Sequence, residues 1–389
     1  MELCARRYDT SQTVRLEIAG QVIARAVHVP EEPGQGRDWP WVAPGLVDIQ
    51  VNGYGGQEFS SPELSVEKVA RIAADLGSQG ATGFCPTVTT QSFEILEHAL
   101  RTLAAAFDSH EPWARRMLGI HLEGPYITAQ DGARGAHPRA FCRPPDWDEF
   151  QRLQAAAAGH IRILTMSPEY PNSPAFIERV AATGVVVSLG HTSAEPDQIR
   201  AAADAGARWS THLGNGSHAM LPRHRNYVWA QLAEDRLWAG LIVDGRHLPP
   251  DVVKTFVRAK QIERCVLVSD MSGLAGLPPG RYSTTLSDVE ILPDGSLVVA
   301  GQRELLAGAG LPLSAGIGNV MHFAGIGLAD AVRMATLHPA RLIGAPAGNL
   351  QPGDAADLVV FDLFQPAGNA APRFTVREVI AGGQMLPHK

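Results

Sequence analysis

Along the middle of the chain, short unbroken apolar runs alternate with longer stretches in which apolar residues recur every three or four positions. The runs are GLVDIQV from Gly45, TGFCPTV from Thr82, MLGIHLE from Met117 and IRILTMS from Ile161, then VVVSLGH from Val185, RWSTHLG from Arg208, AGLIVDG from Ala239 and CVLVSDM from Cys265. Their continuity predicts strands buried on both faces, as in a parallel sheet. SVEKVARIAADLGSQ from Ser65, SFEILEHALRTLAAAF from Ser92, SPAFIERVAATG from Ser173, EPDQIRAAADAG from Glu195 and PDVVKTFVRAK from Pro250 have helical periodicity. Repeated strand and helix predict an α/β fold, a (β/α)8 TIM barrel; an open doubly wound sheet carries the same local pattern. The two ends read differently. Residues 12–30 and 355–385 alternate apolar and polar positions without helical period. They predict a small β-sandwich domain formed by the N- and C-terminal segments, 1–43 and 349–389, around a barrel over 44–348. Pro44-Gly45 and Pro352-Gly353 mark the joints.

Composition narrows the function classes. The chain has 389 residues, 45% of them hydrophobic and 19% charged, which is enough for a large core and excludes a mostly disordered chain. A formal net charge of −7 without a basic run gives no footprint for nucleic acid. No run approaches the roughly 20 apolar residues of a membrane span, and no apolar leader follows MELCARRYDT, so a cytoplasmic location is expected. Cys4, Cys85, Cys142 and Cys265 form no CxxC pair and read as reduced thiols.

The chemistry lies at the carboxyl ends of the apolar runs, where a barrel gathers its catalytic groups. The first run ends Gln50-Val51-Asn52, the third His121-Leu122-Glu123 and the fifth Gly190-His191. The sixth holds Thr211-His212; the seventh ends Asp244-Gly245-Arg246-His247 and the eighth Ser269-Asp270. One histidine at a strand end is most often a hydrogen-bonded structural residue. Glu123, His191 and His212 at equivalent ends together suit a divalent metal with room for water. Asp270 suits the acid/base that serves such a water. His121 lies on the same strand face as Glu123, one layer down, and reads as packing. No GxSxG elbow, Walker A loop or dinucleotide fingerprint competes.

These motifs resemble the N-acetylglucosamine-6-phosphate deacetylase family of the amidohydrolase superfamily. PGLVDIQVNGYGG from Pro44, GIHLEGPYI from Gly119, RGAHPRAF from Arg134, SLGHTSAEPDQI from Ser188 and STHLGNGSHAM from Ser210 carry the resemblance. IVDGRHLPP from Ile242, VLVSDMSGLAG from Val266, MATLHPARLIG from Met334 and GNLQPGDAADLVVFD from Gly348 continue it across almost the whole chain. The resemblance implies hydrolysis of the N-acetyl amide of an amino sugar, with N-acetylglucosamine 6-phosphate as the expected substrate. It implies that Glu123, His191 and His212 hold the metal, that Asp270 is the acid/base and that His247 orients the carbonyl. It also implies substrate contacts from Ala136, His137, Asn215, Gly216, His247 and the loop Leu306-Ala307-Gly308, and a homodimer. Superfamily members often carry His-x-His on the first strand for a second metal. Gln50 and Asn52 stand there, so one ion is expected, zinc first, with iron or another divalent ion also suited to the ligands.

The chain departs from the family after His212. LGNGSHAMLPRHRNYVW has extra residues before Ala219-Met220 and lacks the Arg-Glu-Pro-Gly run whose arginine, in family members, reaches the sugar phosphate from a neighbouring subunit. Arg223 and Arg225 are the candidate replacements. The departure leaves two alternatives: an amidohydrolase for another N-acyl or cyclic amide without phosphate, and a non-catalytic binding protein that kept the barrel.

Overall fold

The computed structural model describes residues 1–30, 39–284 and 288–387. All eight apolar runs form the strands of one sheet: β1 Leu46–Val51, β2 Ala81–Thr89, β3 Ile120–Glu123, β4 Ile161–Met166, β5 Val186–Leu189, β6 Trp209–Ser210, β7 Trp238–Leu241 and β8 Cys265–Leu267. Successive strands pair in parallel. Just beyond β8 the sheet returns to β1: the Asp270 amide donates to the Gln50 carbonyl (2.9 Å), and the Asn52 amide donates to the Met271 carbonyl (2.8 Å). These bonds close the barrel and exclude the open sheet.

Helices follow the first seven strands: the five expected from the sequence, α1 Val66–Ser78, α2 Phe93–Asp108, α4 Ser173–Ala182, α5 Pro196–Asp204 and α7 Pro250–Lys260, and two that were not, α3 Trp147–Ala156 and α6 Tyr227–Ala233. Their starts are written in the sequence. The hydroxyls of Ser65 and Ser92 and the carboxylate of Asp146 accept backbone N–H bonds from Lys68, Ile95 and Glu149, and proline stands in the first turn of α4, α5 and α7. On α1 the buried residues Val69, Ile72, Ala73 and Leu76 form one stripe; Leu96, Ala99, Leu100 and Leu103 do the same on α2. Strand parity then sorts the core. Leu122, Leu164, Met166, Val187 and Leu189 face these helices, whereas Val47, Ile49, Cys85, Ile163, Trp209 and Val266 fill the barrel interior.

The two ends meet in one hydrogen-bonded sheet. Its strand order is 384–385, 373–381, 358–364, 41–44, 2–7, 13–19 and 22–28. Phe361 and Phe374 stack at 3.9 Å within it. Its inner face shares a core with α7 and with α8 Leu313–Ala324, which follows the barrel. Two shorter helices, α9 Leu328–Met334 and α10 Leu337–Leu342, lead back to this sheet.

A further sheet was not expected from the sequence. Between β8 and α8 the strands 280–283, 288–291, 297–299 and 302–306 make a four-stranded antiparallel sheet. Its last strand delivers Leu306 to the mouth of the barrel. Pro293-Asp294-Gly295 between apolar alternations was the available hairpin signal.

Candidate active site

A cavity of about 350 Å3 opens at the carboxyl ends of the strands. Glu123, His137, His191, His212, His247 and Asp270 share its wall. Glu123 is the last residue of β3, and its parity turns it inward. His191 and His212 lie two residues past β5 and β6, and Asp270 lies three past β8. All three adopt left-handed backbone, with φ of 47°, 28° and 51°. Such backbone is rare outside glycine and costs about 1–3 kcal/mol per residue. Here it turns three side chains from separate strands toward one point.

The three candidate ligands converge tightly. Oε1 of Glu123 lies 3.1 Å from Nε2 of His191 and 3.2 Å from Nε2 of His212, and the two ring nitrogens are 3.0 Å apart. His191 donates its Nδ1–H to the Ala133 carbonyl (3.0 Å). Burial, reinforced by His137, lowers its pKa to about 4, so the ring is neutral and its Nε2 lone pair faces the carboxylate. A lone pair aimed at a carboxylate oxygen is repulsive unless a cation lies between them. Burial disfavours charge on Glu123 as well, but the imidazoles of His137, His191 and His212 outweigh it and hold the carboxyl well below its ordinary value. Burial likewise opposes a charged His212, and Glu123 overcomes it and raises the ring's pKa. The pocket is built to hold positive charge between these groups, and the donor set fits a borderline divalent ion.

The amides at the end of β1 serve the carboxylates. Nε2 of Gln50 donates to Oε2 of Glu123 (3.2 Å), and Nδ2 of Asn52 donates to Oδ1 of Asp270 (2.8 Å). Burial raises Asp270 to about 6; the charge of His212 pulls against this and that of Glu123 adds to it. His247 donates Nδ1–H to Asp244 (2.8 Å), which leaves Nε2 for the cavity. His121 commits both nitrogens below the site, Nδ1 to the Ile49 carbonyl (3.1 Å) and Nε2 to the Thr165 hydroxyl (2.7 Å). Cys85 is barrel filler, its thiol pushed up by burial.

The remaining expected contacts divide. Ala136, His137, Asn215, Gly216, Leu306, Ala307 and Gly308 all line the cavity. Nε2 of His137 also approaches Nε2 of His191 at 3.2 Å. Arg223 and Arg225 do not line it. Both are exposed, and Arg225 pairs with Glu195 (3.4 Å) and Asp197 (3.0 Å) on α5 and its cap. His218 bonds the Tyr227 hydroxyl (3.0 Å) and His224 is exposed. Sequence reading missed Glu58, Ser60, Thr89, Ser217 and Ser272 on the wall. Gly55-Gly56 between Tyr54 and Gln57 signals the turn that carries Glu58 there. Short polar loop residues such as Ser272 give no comparable signal.

A parallel barrel with a buried Glu-His-His cluster and an adjacent aspartate at its carboxyl mouth is the architecture of a metal-assisted hydrolase. Comparison with known proteins agrees. Residues 41–386 match the amidohydrolase family model. The N-acetylglucosamine-6-phosphate deacetylase of Bos taurus is 35% identical over 82% of this chain and 79% of its own. The N-acetylgalactosamine-6-phosphate deacetylase of Escherichia coli is 33% identical over 90% of each chain. A solved structure of the Mycobacterium smegmatis N-acetyl-D-glucosamine-6-phosphate deacetylase, a mutant in complex with N-acetyl-D-glucosamine-6-phosphate, superposes with a TM-score of 0.86 at 30% identity over 99% of both chains. The chain therefore belongs to the amidohydrolase family, in its N-acetylglucosamine-6-phosphate deacetylase branch. Among the described residues, no helix is long and apolar enough to cross a membrane.

Proposed function

We propose that this chain hydrolyses the N-acetyl amide of a hexosamine 6-phosphate, N-acetylglucosamine 6-phosphate first, to acetate and the free amine. The observation that carries this reading is the convergence of Glu123, His191 and His212 beside Asp270 in one cavity of ligand size. Glu123, His191 and His212 would hold one ion, and zinc suits two imidazoles, a carboxylate and an open position. When bound, the ion supplies a water of lowered pKa and polarises the amide carbonyl.

The chain's own groups do the rest. Asp270, with Oδ1 held by Asn52, takes a proton from the attacking water and delivers it to the departing nitrogen. His247 faces the cavity with Nε2 and stabilises the carbonyl oxygen as charge grows on it. Ala136, His137, Asn215, Gly216 and Leu306-Ala307-Gly308 enclose the sugar. Among the described residues, no lysine or arginine lines the cavity. The phosphate's countercharge then comes from the exposed 219–225 loop of a second copy, with Arg223 or Arg225 as the donor, and the working form is a cytoplasmic homodimer.

The test is turnover by the zinc-loaded enzyme of N-acetylglucosamine 6-phosphate, N-acetylgalactosamine 6-phosphate and unphosphorylated N-acetylglucosamine. A phosphorylated sugar should be preferred, and Arg223→Ala or Arg225→Ala should raise KM for it with kcat little changed. Equal or better turnover of the unphosphorylated sugar overturns the substrate assignment. Absence of hydrolysis of all three overturns the activity.

A further inference from the structure

Glu58 stands on the cavity wall and has no part in the reaction outlined above. A close fit of backbone brings it there. Past β1 the chain folds into a hairpin of two-residue strands, Gly53–Tyr54 and Gln57–Glu58, with Gly53 opposite Glu58. The hairpin docks on the segment that follows Asp270. The Gly55 amide donates to the Ala275 carbonyl (2.9 Å), and the Gly56 amide donates to the Gly273 carbonyl (2.7 Å). Two glycines allow this approach. A Cβ on Gly53 would lie 2.9 Å from Cα of Gly273, and one on Gly273 would lie 2.0 Å from Cγ of Glu58. The Glu58 side chain therefore crosses Gly273, in the segment that carries the proposed base. The next residue, Phe59, is fully buried and stacks on Phe84, which anchors the turn in the core.

The carboxyl group has more acceptor capacity than the protein uses. Burial raises its pKa, and the Gly273 amide is the one bond that opposes this. Among the described residues, no cationic side chain pairs with it, and it lies outside the Glu123-His191-His212 cluster. A carboxylate has about four acceptor sites, so most of that capacity is left for a ligand. The wall beside it supplies the complement. Oγ of Ser60 accepts the Thr89 amide N–H (2.8 Å) and lies 3.0 Å from Oγ1 of Thr89. The two hydroxyls have two protons and share one between them, so one O–H remains to donate into the cavity. An unpaired carboxylate repels a phosphate, and an apolar group against it would leave it desolvated without donors. Hydroxyl groups satisfy both halves of this wall: they donate to the carboxylate and accept the spare O–H.

We propose that Glu58 is a substrate-binding residue that accepts a hydrogen bond from a ring hydroxyl of the sugar, with the Ser60–Thr89 pair donating to the same edge. The inference rests on the deacetylase reading and deepens it. Selection of a hydroxylated ring lies on the β1–β2 side of the barrel mouth, and the phosphate is held elsewhere.

The experiment uses the zinc-loaded full chain and compares wild type with Glu58→Gln, which keeps the shape of the side chain and removes its charge. The substrates are N-acetylglucosamine 6-phosphate and its 1-deoxy, 3-deoxy and 4-deoxy analogues. With the parent sugar, Glu58→Gln should lower kcat/KM by about 10–100-fold, the worth of one hydrogen bond to a charged group. The analogue that lacks the hydroxyl held by Glu58 should be a poor substrate for wild type and should lose little further in Glu58→Gln, because both changes remove the same interaction. A loss of equal size on all four substrates marks a merely structural role and overturns the proposal, as does an unchanged kcat/KM. Calorimetric binding of the parent sugar to Asp270→Asn enzyme, with and without Glu58→Gln, repeats the comparison without turnover, and affinity should fall by a similar factor. If the wild type hydrolyses no N-acetyl amino sugar, the reaction assignment falls, and the binding pair still decides the role of Glu58. Equal affinity in the pair, or binding in neither, overturns it.

Discussion

Asp270→Asn is the sharpest perturbation of the proposed chemistry. The substitution keeps the size of the side chain and removes its capacity to accept a proton. Asn52 donates Nδ2–H to Oδ1 of Asp270 at 2.8 Å, so the new amide will turn its oxygen toward Asn52 and its NH2 toward the water. General acid–base catalysis contributes roughly 10²–10⁴-fold. Asp270 acts twice per turnover, as acceptor and then as donor, so the loss should lie near the upper end, about 5 kcal/mol at about 1.36 kcal/mol per decade. Burial raises the Asp270 carboxyl to about 6, against the pull of His212 and with the push of Glu123. The base form is the active one, so wild-type kcat/KM should fall about tenfold per pH unit on the acid side. A cation among Glu123, His191 and His212 lowers that carboxyl, which places the limb at or below about 6 in the loaded enzyme. The assay is acetate release from pH 4.5 to 9 at saturating and limiting substrate, with metal content measured on each sample. Less than a tenfold loss at matched metal content, or an acid limb that persists in the asparagine variant, refutes Asp270 as the base.

Two further outcomes follow from the surroundings of the site. Gly216 has φ +54°, and a Cβ there would lie 2.6 Å from Nδ1 and Cε1 of His191. Gly216→Ala should displace that ring and weaken metal affinity about 10–100-fold in a chelator competition; unchanged affinity would show that the ring is not a ligand. Asp48 accepts N–H bonds from Ser269 (3.2 Å) and Gln50 (3.4 Å) inside the barrel, and burial raises its carboxyl to about 7 against these bonds. A raised folded-state pKa gives stability that is full below about pH 4, declines as pH rises and is gone once pH has passed about 7. Asp48→Asn keeps the acceptor oxygen, so in urea melts it should gain on wild type by up to about 1.4 kcal/mol per pH unit between those limits. A gap that does not change with pH counts against this.

What the sequence reveals depends on how local each signal is. All eight barrel strands are legible because strands covered on both faces read as unbroken apolar runs. Glu123 is legible because parity along β3 turns it inward with His121. The seven-residue α6 is too short for a period to emerge. The antiparallel sheet after β8 was passed over because its strands are short and largely polar at the start. The loop from 214 to 226 has no period at all, so nothing local shows that Arg225 turns to Glu195 and Asp197 rather than to the cavity.

The conformation that makes the site work is also the least legible. Glycine is the strong signal of left-handed backbone, and histidine, though enriched there among other residues, is far too common elsewhere to mark such a position. Yet His191 and His212 share that conformation with Asp270. The strain persists because the surroundings over-determine it. The Ala133 carbonyl holds the His191 ring, and the Leu213 amide just after His212 is bonded to the Gly240 carbonyl (2.8 Å). The Asp270 amide is bonded to the Gln50 carbonyl (2.9 Å), the contact that returns the sheet to its first strand. Gln50 in turn donates its side-chain N–H to Glu123. The residue that helps close the barrel thus steadies a candidate ligand with its side chain and seats the proposed base with its backbone. Closure of the fold and placement of the base are one interaction, so a change that loosens the β1–β8 seam should impair catalysis before it unfolds the chain.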